Sequence, residues 1–275
     1  KIVVITGFQG INSKGDITTI GRGGSDTSAV VIAPAISADT CEIYTDVDGV
    51  YTTDPRVLPE ARRLETISHE EMLEMASLGA GIMHPRSIES AKVNNMSIDV
   101  KHSHKEGKGT RITMTGEKLN TVSGVASDDD VAKIGVMHVP DVPGMAAKLF
   151  SALAKEKISV DVIVQSIHED KKRNDISFTV STDDHEKALN VTKNLAMGWE
   201  GSKVVGDTEV AKISIVGIGM ISAPGVAARM FEALGDAKIN IQMISTSEIK
   251  ISCIIDKKEI KHAVKIVHEA FELHK

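Results

Sequence analysis

Three closely spaced glycines, Gly21, Gly23 and Gly24, stand in the run Thr19-Ile-Gly-Arg-Gly-Gly-Ser-Asp-Thr27. Backbone without side chains can take positive φ and come close to a ligand. Arg22 adds a planar guanidinium suited to a carboxylate or a phosphate. Ser25 or Asp26 is placed to N-cap a helix that the apolar residues 29–36 predict, and the helix start would aim free N–H groups and a positive dipole end at the same spot. The expected ligand is therefore an anion; a glycine turn with a solvated arginine is the alternative. A second polar run, Tyr44-Thr-Asp-Val-Asp-Gly-Val-Tyr-Thr-Thr-Asp-Pro-Arg56, overlaps a strand predicted over residues 41–45. Gly49 supplies the permissive position of the turn. Strand ends in α/β sheets meet ligands, so Thr52, Thr53, Asp54, Pro55 and Arg56 are candidate nucleotide and metal contacts. The alternative is a hydrophilic connection closed by Pro55.

Several elements must position these loops. Residues 1–5 form an apolar run ended by Thr6-Gly7, the pattern of a strand buried on both faces in a parallel sheet. Residues 8–15 read as loop. A helix is expected over 30–38, with Pro34 kinking it or starting a new turn. Ser68 with Glu71 makes a capping box ahead of Met72, Leu73, Met75 and Ala76, and so predicts a helix. A further helix over 86–94, strands over 97–101 and 109–114, and a linker over 116–120 follow. Strands alternating with helices fit an αβα sandwich.

The rest of the chain contains a repeat. Val131-Ala-Lys-Ile134 recurs as Val210-Ala-Lys-Ile213, offset by 79 positions. Pro143-Gly144 recurs as Pro224-Gly225, Phe150 as Phe231, and Ile158-Ser-Val160 as Ile239-Asn-Ile241, each offset by 81. Each copy reads as the βαββαβ split motif. The second copy ends on a helix over 259–273, with no residues left for its last strand. The segment 121–126 is strand-like and has no partner ahead of the first copy. It is expected to cross over and complete the second copy's sheet, because an open edge is a liability.

With these residues in view, a resemblance can be named. Thr19 to Thr27 resembles the substrate loop of aspartate kinases, and Tyr44 to Arg56 is similar to their nucleotide loop. Thr66-Ile-Ser-His-Glu-Glu-Met-Leu-Glu-Met-Ala-Ser-Leu-Gly79 and His84-Pro85 continue the match. The repeats resemble ACT modules. The resemblance implies an α/β chain: the C-terminal portion of an αβα-sandwich amino-acid kinase domain over 1–118, then a tandem ACT region over 121–275. The first ferredoxin-like module would span about 131–206, and the second about 210–275 plus the strand 121–126.

The function so implied is phosphoryl transfer from MgATP to the side-chain carboxylate of L-aspartate, giving 4-phospho-L-aspartate. This would be the first step toward lysine, threonine and methionine, feedback-regulated by lysine and/or threonine. By the resemblance Arg22 grips the substrate carboxylate, Ser25 hydrogen-bonds it, and Asp26 orients the phosphate-binding cations. Thr45, Asp46, Tyr51, Asp54 and Arg56 contact nucleotide, with Thr52, Thr53 and Pro55 in the same loop. An effector site is expected where the helix start at Gly144, Met145 and Ala146 faces the module's second strand. Asp141 would meet an ammonium group there and the helix N–H groups a carboxylate. Asp161, Gln165, Ser247 and Glu248 match effector positions.

Two expected cations are missing: an opening lysine-bearing strand, and a lysine where this chain has Gly81. The chain without an initiator Met is expected to begin inside a longer one, and alone to be nearly inactive. A non-catalytic regulatory subunit or fragment is the second reading. A homodimer through ACT modules, or a hetero-oligomer with a full-length kinase chain, is expected.

Composition narrows the field. A formal charge of −6 and 3% aromatic residues argue against nucleic-acid binding. No secretory signal and no apolar run of membrane-spanning length is present, so a cytoplasmic protein with no membrane contact is expected. Cys41 and Cys253 read as buried reduced thiols. His102 and His104 read as a solvated loop, with no protein metal site expected. Gly217-Ile-Gly219 lacks the third glycine of a dinucleotide fingerprint.

Overall fold

The computed structural model of the chain describes residues 1–78, 82–116, 121–166 and 172–275. Gly81, where a lysine is expected by the resemblance, lies outside the described residues, as does the linker apart from Gly116.

In the first part the elements are β1 (Gln9–Ile11), β2 (Ile17–Thr19), α1 (Gly24–Ala35), β3 (Cys41–Thr45), β4 (Thr66–Ser68), α2 (His69–Ser77), α3 (Pro85–Val93), β5 (Ile98–His102) and β6 (Thr110–Thr113). The sheet runs β3-β5-β6-β4, with β3–β5 and β4–β6 parallel and β5–β6 antiparallel. Helices contribute Val30, Met72, Met75 and Ile88 to its core, against Ile43, Ile98, Val100 and Ile112. The capping box forms: Ser68 Oγ accepts from Glu71 N, and Ser68 N donates to the Glu71 carboxylate. Such a cap is worth about 1 kcal/mol.

Three expectations are corrected here. Residues 1–5 are not a buried strand: they pair with nothing among the described strands, and Ile2 and Val4 are 96% and 90% exposed. An apolar run becomes a strand only where a neighbour offers unpaired backbone groups. Residues 8–15 are not simply loop, since β1 and β2 pair antiparallel as a hairpin. Its connection is tied by Asn12 Oδ1, which accepts from Lys14 N and Asp16 N. Neither Ser25 nor Asp26 is the N-cap of α1. Gly23, at φ 67°, holds that position, and the helix starts at Gly24 with Ser25 and Asp26 in its first turn. Glycine takes the left-handed geometry at low cost, so the helix begins before the first good capping side chain. Pro34 lies in the last turn, and the helix ends at Ala35.

The second part comprises β7 (Gly124–Pro140), α4 (Met145–Lys155), β8 (Ile163–Gln165), β9 (Arg173–Val180), α5 (His185–Ala196), β10 (Lys203–Val216), α6 (Val226–Asp236), β11 (Met243–Thr246), β12 (Lys250–Asp256) and α7 (Ile260–Ala270). Among the described residues they form one six-stranded sheet, β11-β12-β10-β7-β9-β8. The two long central strands are antiparallel and each serves both repeats. Lys203 to Asp207 pairs with Met137 to Lys133 in the first, and Lys212 to Val216 pairs with Asp128 to Gly124 in the second. The crossing segment thus lies along the first strand of the second repeat. The edge strands β8 and β11 also touch. Val131, Val162, Val210, Met243 and Ile254 form a small core between the repeats. Each repeat has its own larger core as well: Leu149, Leu153, Phe178 and Trp199 in the first, Met230, Leu234, Val264 and Val267 in the second.

Gly217 opens a 3-10 turn, Ile218–Ser222. A Cβ there would lie 2.3 Å from the Thr121 carbonyl oxygen, so this glycine answers to close backbone packing on the crossing segment. Both cysteines are free and buried, and burial pushes the Cys253 thiol up to about 12.

Candidate functional site

The glycine loop is built by contact. A Cβ on Gly23 would lie 2.2 Å from His84 Cβ, and one on Gly24 would lie 2.8 Å from the Phe8 ring. Gly21 is also left-handed, at φ 91°. Arg22 and Ser25 are exposed, and Asp26 is half-buried in the first turn of α1. Burial raises the Asp26 carboxyl above its ordinary value, against a smaller lowering by His84. Ser28 ties the loop down, donating to Gly24 O at 2.7 Å and accepting from Phe8 N at 3.0 Å.

Two residues that the sequence did not mark as site candidates complete this place. His84 caps α3 and packs on Gly23, while Arg86 Nη2 donates to Arg22 O at 3.1 Å. Pro85 at the helix start was the available signal, because proline there fixes where the helix begins and so where His84 and Arg86 point. A guanidinium and a helix start thus face the Arg22 loop, an arrangement suited to an anion.

The second loop leaves the carboxyl end of β3. Thr45 Oγ1 donates to Asp46 Oδ1 at 3.1 Å, and Tyr51 Oη donates to Asp48 Oδ1 at 2.8 Å. Arg56 closes a fork on Asp54, with Nη2 at 2.8 Å and Nε at 3.1 Å. Those bonds hold the Asp54 carboxyl below the usual carboxylate range. Pro55 and Arg56 are exposed, whereas Thr52 and Thr53 are buried at 0% and 4% exposure. The Thr52 hydroxyl already has partners, accepting from Arg62 N at 3.0 Å and lying 2.9 Å from His268 Nε2.

Beside this loop a cleft of about 220 Å³ is lined by Asp48, Arg63, His102, Lys105, Glu106, Gly107 and Gly109. It sits at the carboxyl ends of the parallel strands β3 and β5, where α/β sheets bind ligands. Arg63 braces it by donating to Gly109 O at 3.0 Å. Gly49 lets the turn approach, since a Cβ there would lie 2.4 Å from Thr110 Oγ1. No hydrogen bond or ion pair among the described residues joins the 21–26 loop to the 45–56 loop. Nor do the described residues include a group of three or more His, Cys, Asp or Glu that could hold a metal ion.

The regulatory candidates fall into two places. Gly144, at φ 94°, N-caps α4 with open space around it; Met145 is buried, and Ala146 and Asp141 are exposed. Gln165 ends β8, and Ser247 and Glu248 follow β11, the two edge strands that touch. Asp161 is engaged by Lys212 Nζ at 2.5 Å, and Asp128 lies 3.6 Å from the same ammonium. The repeat makes a second version of this cluster: Lys133 is bonded to Gln242 and lies 3.6 Å from Asp207.

Two buried polar contacts join the parts of the chain. Glu71, only 1% exposed, accepts from Ser68 Oγ at 2.6 Å, Ser123 Oγ at 2.6 Å and Ile218 N at 3.0 Å. Thr52 is held by His268 of α7 and, at its carbonyl, by Val125 N at 2.7 Å. At the surface, Lys250 Nζ meets Glu74 Oε2 at 2.8 Å.

This architecture can be set beside known proteins. Residues 1–102 match the amino acid kinase family, and residues 136–194 and 213–271 each match an ACT domain. The aspartate kinase of Pseudomonas putida is 51% identical over 99% of the chain, which spans 67% of that protein's length. The fold aligns with E. coli aspartokinase III in complex with aspartate and ADP, at 29% identity and a TM-score of 0.79, over 97% of this chain and 60% of that one. The same enzyme with lysine and aspartate aligns with a TM-score of 0.73 at 29% identity, over 96% and 59%. The regulatory subunit of aspartate kinase from Thermus thermophilus is 41% identical, with a TM-score of 0.53, over 55% of this chain and 99% of that one. A four-stranded sheet flanked by two polar loops and joined to a paired ACT sheet, in a chain half identical to an aspartate kinase over 99% of the chain's own length, leaves one conclusion: the chain belongs to the aspartate kinase family.

Proposed function

We propose that the protein to which this chain belongs transfers the γ-phosphoryl group of ATP to the side-chain carboxylate of L-aspartate. The observation that carries the reading is the alignment over 97% of this chain with an enzyme crystallised with aspartate and ADP. Two anions must be brought together, so positioning and charge neutralisation supply the catalysis. Arg22 grips the substrate carboxylate, with Ser25 hydrogen-bonded to it. Asp26 orients cations at the phosphates. Thr45, Asp46, Tyr51, Asp54, Pro55 and Arg56 contact nucleotide, and Thr52 and Thr53 support that loop from inside. Magnesium would arrive on the nucleotide's phosphates, neutralising their charge with few protein ligands.

Regulation falls to the ACT pair, with lysine and/or threonine bound by Asp141 and the α4 start at Gly144 to Ala146. Asp161, Gln165, Ser247 and Glu248 complete a site at the meeting strands. Subunits associate through the ACT units as a homodimer or with a full-length kinase chain. A second reading, a non-catalytic regulatory subunit, has support from the Thermus thermophilus regulatory subunit, 99% of which aligns with 55% of this chain.

The test is ADP release by the full-length protein with L-aspartate, against L-glutamate as control. Aspartate-dependent release that Arg22→Ala lowers about 100-fold or more in kcat/KM is expected. No aspartate-dependent release, together with binding of lysine or threonine, would favour the regulatory subunit.

A further inference from the structure

The kinase part's second loop is not anchored by its own domain alone. Thr52 donates its backbone N–H to Arg62 O at 2.8 Å and accepts at its carbonyl from Val125 N at 2.7 Å. Its hydroxyl uses one lone pair for Arg62 N, which leaves its proton or its other lone pair for His268 Nε2. Either imidazole tautomer closes that bond. Thr52 and His268 are 0% and 1% exposed, so no water replaces a lost partner.

His268 rides on α7, whose Ala263, Val264 and Val267 belong to the core of the second ACT unit. The same stretch of chain that carries Thr52 carries Tyr51, Asp54 and Arg56. The crossing strand also begins here: a Cβ on Gly124 would lie 2.9 Å from Thr52 O. Thr52 is thus the point where the second loop, the crossing strand and the last helix meet.

We propose that His268 is a positioning residue for nucleotide, acting through the Thr52 hydroxyl to hold the loop 51–56 in its binding geometry. The inference rests on the reading of that loop as the nucleotide loop. A shift of α7 then reaches the nucleotide without passing through the sheet.

The test titrates ADP into the full-length protein by calorimetry and measures KM for ATP and for aspartate. His268→Ala is expected to weaken ADP and raise KM for ATP about tenfold, with KM for aspartate within about twofold. His268→Gln, which keeps a donor and acceptor near the same reach, should restore most of the loss. Thr52→Val, which also takes the acceptor from Arg62 N, should weaken ADP at least as much as His268→Ala, and the double variant should be no worse than Thr52→Val alone. Unchanged ADP affinity, equal changes for both substrates, or additive single effects would overturn the proposal. If His268→Ala does not fold, His268→Leu against His268→Gln gives the same decision, because both fill the space and only the glutamine can bond the Thr52 hydroxyl. Arg56→Ala separates the two levels: if it leaves ADP binding intact, the loop assignment itself fails. If it weakens ADP while His268→Ala does not, only the positioning role fails.

Discussion

The two ACT units are built from one repeated pattern, yet they stand in different relations to the kinase part. The apolar core of the first is drawn, among the described residues, from positions 132–204 alone. The core of the second takes in Val57 from the kinase part, and the kinase core takes in Ala126 and Val216. Polar contacts follow the same division. Glu71 reaches Ile218, Glu74 reaches Lys250, and Thr52 reaches His268, all in the second unit. Duplication supplied two equal modules, and docking made one of them part of the kinase scaffold. A change in the second unit meets the kinase part directly; a change in the first has the shared strands β7 and β10 as its route.

The largest expected effects test that asymmetry at paired core positions. Leu149 and Met230 are equivalent in the repeats, and both are 0% exposed. Truncating either to Ala should cost about 2–5 kcal/mol in denaturant unfolding. Only Met230→Ala should also weaken ADP; equal weakening by Leu149→Ala would break the comparison.

Next comes Glu71→Ala, which strands Ser123 Oγ and Ile218 N and removes the capping box, at about 2–4 kcal/mol. Glu71→Gln keeps an acceptor and should cost roughly half as much, measured by thermal unfolding.

A smaller effect is expected at the two lysine clusters. Lys212 has a side chain 5% exposed and two carboxylate partners, whereas Lys133 is 22% exposed with one carboxylate and Gln242. Lys212→Met should cost about 1 kcal/mol, because the half-exposed Asp161 can rehydrate. Lys133→Met should cost about half that or less. Reversal of that order would show that position in the repeat, rather than charge and burial, decides.

The smallest effect is in pH. Burial is the main cause that lowers His268 at the junction and His69 in the kinase core below the ordinary histidine value. Folded His268 and His69 then bind fewer protons than unfolded ones, so stability is present above about pH 6.5 and falls as pH drops below it. His268→Gln should flatten part of that slope in urea midpoints measured between pH 5 and 7.5.

Much of this was legible in the chain because its signals are local or repeated. Ser68 and Glu71 sit three apart, so the capping box announced α2. The 79 and 81 offsets announced two equal units, and the unpaired segment 121–126 pointed to the crossing strand. The failures have a common physical origin in partners far along the chain. Residues 1–5 have strand composition but find no edge among the described strands. Gly23 starts α1 because His84, 61 positions away, leaves no room for a side chain. The burial of Thr52 is likewise set by Val125 and His268, which none of its sequence neighbours announces. The second role of Glu71 was hidden in the same way, because Ser123 and Ile218 are 52 and 147 positions distant.

The long strands β7 and β10 also set limits on what can be recombined. The second unit takes its edge strand, 124–128, from residues that continue without a break into the first strand of the first unit, so no single cut in the chain frees an intact second unit. Grafting the second unit alone onto another enzyme would leave it without that edge, and swapping it for another module would interrupt both β7 and β10. The two units are therefore unequal as parts: the first is continuous over 131–207, whereas the second can be transplanted only together with the residues that precede the first.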